Sequence, residues 1–327
     1  MKNKFFLLPL LSFFHLAAQA HVQWFVTTEQ MKNVSLPLDM VSLWLTVGVL
    51  ACTLVAVLLT RHASISSITE QLLCRIPVFD HRLYLVYFMT LIAVFLVMIL
   101  LQGGFLAPNL ILPQSLLSLG VLLQAAIVVC ATFSTSLAGI VMLITTLFVV
   151  FVFPSISINY VFELGAIGIF MVLNGPVIST VDQWMLPACK SERFWKLSVR
   201  ILRMGIGLQL VVLALTEKLI YPGLGLVFIE MYPFYNFFIL LGLDQVSNLH
   251  FIYFIGISEL VLGLMLMFGI ASRLVLVALA AAFTTTAIIH GVHEILGHLP
   301  IFAAAVILLL ECVNQARPRG QSRKKGV

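Results

Sequence analysis

Nine apolar runs of about 15–21 residues, each closed by polar, Gly or Pro residues, follow one another along this chain. A run of about 20 residues is long enough to cross the hydrocarbon core of a bilayer as a helix. A membrane barrel would instead show alternating segments of about 10 residues. In lipid the backbone must satisfy its own hydrogen bonds, which leaves helices or closed barrels. Composition agrees, with 61% hydrophobic and 9% charged residues, where soluble domains carry about 25% charged. The expected fold is therefore all-α, a polytopic transmembrane bundle of about nine spans. They are placed at 41–60, 83–103, 116–133, 137–153, 160–178, 201–221, 250–270, 273–290 and 299–313.

Charge sets the direction of threading. Of the sixteen Lys and Arg after residue 20, fourteen fall in or beside loops on one side. They include Arg61, Arg75, Arg82, Lys190, Arg193, Lys196, Arg200, Arg273 and the tail from Arg317 to Lys325. Only Lys32 and Lys218 fall on the other side. Short cytoplasmic loops retain Lys and Arg, so the C-terminus is expected in the cytoplasm of a bacterial inner-membrane protein. The runs 116–133 and 137–153 are divided only by Ser134-Thr135-Ser136. Fusing them would turn every later positive loop to the wrong side. The net charge of +5 is then topology signal plus a tail able to meet anionic lipid headgroups. Membrane lipids are the expected partners, and no nucleic acid is implied.

Residues 1–20 read as a signal peptide. Lys2 and Lys4 are its charged region, 5–16 its apolar region, and Ala18-Gln19-Ala20 fits the cleavage pattern. Cleavage would make His21 the mature N-terminus on the periplasmic side, followed by an interfacial Trp24-Phe25 anchor. The polar stretch 179–200 then divides a five-span region, 21–200, from a four-helix bundle, 201–313, and a basic tail, 314–327. The aromatic loop 222–249 reads as an interfacial helix or a re-entrant cap. Cys52, Cys74, Cys130, Cys189 and Cys312 form no CxxC pair and lie within spans or near the inner face, which disfavours dithiol chemistry. Phosphate-loop, Rossmann and haem-attachment motifs are absent from the sequence.

The candidate chemistry lies in the last four spans. Glu259 sits near the middle of its span, where an acid costs about 2.5–3.5 kcal/mol on insertion scales. Such a residue must face the interior, carry a proton or find a partner. Glu217 and Lys218 end the span before it. Lys218 is a counter-ion for Glu259 or Glu294, or else snorkels to the interface. His290, His293, Glu294 and His298 form the densest polar cluster. The His293–His298 spacing turns two side chains about 140° apart on a helix, which excludes a one-helix zinc protease site. Gly291, Gly297 and Pro300 predict a broken helix. A free His21 would offer amine and imidazole nitrogens to copper, completed by one of His250, His290, His293 or His298.

The second half resembles the DoxX/DoxD-like integral membrane proteins, over about 200–313. The resemblance rests on the stretch beginning at Arg203, on Thr216-Glu217-Lys218, on the pattern Glu259, Gly263, Gly269, Arg273, and on the closing span from His298. It implies a four-helix membrane bundle and a link to redox chemistry, because the family is named for a subunit of a thiosulfate:quinone oxidoreductase. The leading expectation is a redox-linked membrane subunit that meets quinone or a periplasmic reductant, with a periplasmic or membrane redox partner. In it, Glu259 and Glu217 handle protons, His290, His293 or His298 assists or binds metal, and Lys218 and Glu294 are the further candidate site residues. Quinone and copper are the cofactor candidates. The alternatives are a proton-coupled transporter or copper-handling protein, and a non-catalytic assembly subunit.

Overall fold

The computed structural model describes residues 22–62 and 80–316, without the side chains of 28, 190, 292–294 and 314–316. Residues 1–20, read above as a signal peptide, His21, Cys74 and the basic tail beyond 316 lie outside the described residues. Within them the chain is helical, and no strand occurs. Eight helices are long and apolar enough to cross a membrane: α1 (Met40–Arg61), α2 (His81–Leu101), α3 (Gln114–Ala131), α4 (Thr135–Val152), α5 (Val161–Ile178), α7 (Glu192–Ala214, running on to Leu219), α10 (Asn248–Phe268) and α11 (Ser272–His290). The ninth run forms α13 (Leu299–Ala316), whose apolar part is shorter. Between these lie α6 (Thr180–Met185), α8 (Pro222–Met231), α9 (Phe237–Leu240) and α12 (Val292–Gly297). The chain is a multi-pass membrane protein.

Local chemistry sets the helix ends. Ser134 caps α4 by accepting the Leu137 amide at 3.0 Å. Asp182, buried on α6, accepts the Ser136 amide at 3.1 Å and the Ser134 hydroxyl. A carboxylate from a later helix thus closes the N-terminus of α4, where unpaired amides and the helix dipole favour an anion. The break between α3 and α4 is therefore built, as the charge argument requires.

The stretch 179–200 is not the simple polar loop expected from its charges. It holds α6, a 3₁₀ turn (Pro187–Lys190) and the first turns of α7, which starts at Glu192. The reason is amphipathic: Trp195, Ser198 and Val199 are buried, while Lys196 stays exposed and pairs with Glu192 at 2.8 Å.

Helices α4, α5, α7 and α10 pack in sequence, and α13 lies against α2 and α7. One apolar core runs through both halves, from Phe88 and Phe170 to Leu202, Leu266, Ala282 and Ala304. Close approach of α7 to α10 depends on glycine: a Cβ on Gly207 would fall 2.7 Å from the Gly263 carbonyl oxygen. Bare backbones in contact are a common packing device in membranes. Helix α1 is the outlier. It packs chiefly on α10 and exposes Leu43, Val47, Leu50, Leu54 and Leu58, a surface suited to lipid.

Residues 22–38 lie across one end of the bundle. Val22 and Val26 join Phe228, Ile229, Phe251, Ile252 and Ile255 in a second apolar cluster. The aromatic loop folds as α8, a 3₁₀ turn (Pro233–Tyr235) and α9, and packs under this segment.

Candidate functional site

The end of α7 builds the centre of the site. After Ala214 the helix widens into a π turn, Leu215–Leu219, and the Ile220 amide reaches back to the Leu215 carbonyl at 2.7 Å. Such a turn holds an extra residue and recurs at functional sites. Here both Glu217 and Lys218 are fully buried, so of the two roles open to Lys218 it does not take the snorkelling one. Gly256 on α10 makes room for the turn, since a Cβ there would lie 2.7 Å from the Leu219 side chain.

Lys218 Nζ lies 2.8 Å from Oε2 of Glu259, whose side chain is 2% exposed. Of the two acids considered as its counter-ion, Lys218 therefore meets Glu259. The contact is a close, buried ion pair. Glu217 turns the other way, and its Oε2 accepts the Val22 backbone amide at 2.8 Å. Glu217 Oε1 and Glu259 Oε1 have no hydrogen-bond partner among the described residues. Two buried acids and one buried base thus lie together, with an unpartnered acceptor oxygen on each acid among the described residues.

The N-terminal segment forms the roof. Trp24 Nε1 donates to the Tyr160 hydroxyl at 3.1 Å, and that hydroxyl donates to Asn109 Oδ1 at 2.5 Å. Beside it, Asn159 donates to Gln23 Oε1 at 3.2 Å and accepts from Thr216 at 3.0 Å. The Trp24 ring packs on Gly297, with its centroid 5.0 Å from the His298 ring. His298, buried, also meets Phe283 at 4.5 Å.

His290 ends α11, and Gly291, at φ 74°, breaks the helix there as the glycine pattern predicts. Its Nε2 is 2.6 Å from the Tyr235 hydroxyl. Phe25 and Tyr232 face the same imidazole at 4.8 and 4.9 Å between ring centroids. The segment 22–25 therefore links Glu217, His298 and His290 in four residues.

Among the sequence candidates, Glu217, Lys218 and Glu259 come together, and His290 and His298 flank the roof. His293 and Glu294 lie on α12, their side chains outside the described residues, as is His21. Among the described residues no group of three or more His, Cys, Asp or Glu is placed to hold a metal. His290 is instead bound to Tyr235, and His298 lies between Trp24 and Phe283. The described cysteines are free thiols.

Sequence reading missed the partners from the first half: Asn109, Asn159 and Tyr160. Polar residues at the ends of apolar runs were their only signal. It also missed Asp39, whose carboxylate accepts from His250 Nε2 at 2.9 Å and from the Ser42 amide at 3.0 Å. His250 Nδ1 accepts the Ser247 amide at 3.2 Å in a capping box that starts α10. Nε2 therefore carries the proton given to Asp39.

No family model, curated protein or solved structure matches this chain.

Proposed function

We propose that this chain is a bacterial inner-membrane protein whose periplasmic-side cluster of Glu217, Lys218 and Glu259 handles protons for a redox reaction of quinone or a periplasmic reductant. The observation that carries the reading is the imbalance of that cluster. Among the described residues two buried carboxylates face one buried ammonium, and an excess buried negative charge costs several kcal/mol if uncompensated. A bound proton is the simplest compensation, and a proton held in a membrane interior is characteristic of relay sites. The sidedness rests on the positive-inside pattern, with the mature N-terminus outside and the C-terminus in the cytoplasm. The redox assignment rests on the DoxX-like pattern at Glu259, Gly263, Gly269 and Arg273.

That pattern has a physical reading. Glu259 enters the cluster, Gly263 meets Gly207, Gly269 closes α10 at φ 74°, and Arg273 donates to the Cys312 carbonyl at 3.3 Å. Three of the four positions thus hold the bundle, and one carries a charge into it.

The test is to extract and quantify quinone from purified protein. Quinone that copurifies with the wild type and is lost in a folded Glu259→Gln variant supports the reading. A preparation free of quinone and of any oxidoreductase partner, with Glu259→Gln silent apart from lowered stability, overturns it in favour of a structural subunit.

A further inference from the structure

The first turns of α7 carry charge that the bundle does not use. Arg193, Lys196 and Arg200 are exposed there, at spacings that place them on one face of a helix. Leu197 and Met204, 41% and 47% exposed, continue that face towards the apolar part of the span. Lys196 is held by Glu192 at 2.8 Å, whereas Arg193 and Arg200 form no ion pair among the described residues. Arg193, Lys196, Leu197 and Arg200, with Glu192 and Phe194, line one open hollow.

The opposite face of the helix fixes the aim of these side chains. Trp195 Nε1 donates to Glu311 Oε2 at 3.0 Å, and the Ser198 hydroxyl accepts from Asn174 Nδ2 at 2.7 Å. Trp195 and Ser198 are both buried, so the two bonds set the rotation of α7 and hold the arginines outward. Arg193 and Arg200 stand about two turns, or about 10 Å, apart along the axis. Arg200 comes last before the apolar run that starts at 201, where a cation meets the edge of the hydrocarbon.

We propose that this face of α7 binds an anionic phospholipid, its phosphate between Arg193 and Arg200 and its acyl chains along Leu197 and Met204. Guanidinium groups match phosphate oxygens in paired hydrogen bonds, and basic clusters at the end of a span recognise anionic headgroups. A free phosphate would use the charges and leave the apolar pair bare. A soluble acidic partner would not reach Met204, which lies inside the apolar run. The site needs only that α7 crosses a membrane, so it stands apart from the redox reading and would survive a preparation free of quinone.

Lipid binding to purified, delipidated full-length protein in non-ionic detergent tests this. Native mass spectrometry would compare phosphatidylglycerol with phosphatidylcholine of the same acyl chains. The wild type should prefer phosphatidylglycerol by about tenfold or more. Arg193→Gln with Arg200→Gln should weaken phosphatidylglycerol about 25-fold, roughly fivefold for each charge at a membrane surface, and leave phosphatidylcholine unchanged. Arg61→Gln, which removes an exposed cation at the end of α1, should leave the affinity unchanged and so separates a site from net charge. Inorganic phosphate in excess should not displace the lipid. If the double variant does not fold, Arg200→Gln alone should show the roughly fivefold step. Equal binding of the two lipids, unaltered affinity in the α7 variants, an equal loss in Arg61→Gln, or displacement by phosphate overturns the proposal.

Discussion

Lys218 and Glu259 form an ion pair across α7 and α10 that is sealed from solvent at both ends. A pair of this kind is harder to break than to replace. Removing one partner strands a buried charge and costs about 3–5 kcal/mol, whereas apolar replacement of both is often neutral. Lys218→Met and Glu259→Leu should each lower resistance to SDS unfolding, and the double variant should recover most of the loss. A double variant as weak as the sum of the singles would show that the residues do not act as a pair.

Glycine contacts should be asymmetric. A methyl on Gly263 would fall 2.8 Å from the Gly207 carbonyl and 3.0 Å from the Val211 nitrogen. Backbone does not yield cheaply, so Gly263→Ala should destabilise by about 1–3 kcal/mol. Gly165, on α5, has nothing within 4 Å of such a methyl, and Gly165→Ala should be neutral or stabilise by up to about 1 kcal/mol. Thermal unfolding in detergent separates the two.

Asp182→Ala removes the acceptor that closes α4. The Ser134 hydroxyl and Ser136 amide then lose a buried partner, at about 1–3 kcal/mol. Hydrogen exchange should rise in the first turn of α4 and not in α10. Unchanged exchange there would contradict the capping role.

Acid should loosen the attachment of α1. The Ser42 amide, followed by the His250 hydrogen bond, holds the Asp39 carboxyl below its usual range. A depressed carboxyl stabilises the folded state above its unfolded pKa, about 3.9. That contribution is lost as pH falls through the lower folded value. Protease sensitivity around residues 30–39 should therefore rise below about pH 4. In Asp39→Asn it should already be raised at neutral pH and change less with acid.

The spans were legible because a helix in lipid needs only length and apolarity, and both are local. The divide at Ser134 was legible through charge, although its agent, Asp182, sits 48 residues on. The π turn left no trace, since Leu-Thr-Glu-Lys-Leu reads as ordinary helix. Trp24 looked like an interface anchor, and only the fold shows its indole bonded to Tyr160, 136 residues away. Asp39 and His250, 211 apart, are invisible to any periodic reading. The acids of the site could be nominated from their cost in lipid. Their roof could not, because it depends on residues 22–25 meeting Tyr160, Glu217, His290 and His298, far away in sequence.

The contact between Val22 and Glu217 spans 195 residues, and this separation governs the order of assembly. At a synthesis rate of about 5–20 residues per second, Glu217 emerges roughly 10–40 s after Val22. The segment from Val22 therefore waits, already made and without its seat, while the helices up to α7 are still being made and inserted. It docks late, as a closing step performed on a bundle that is nearly whole.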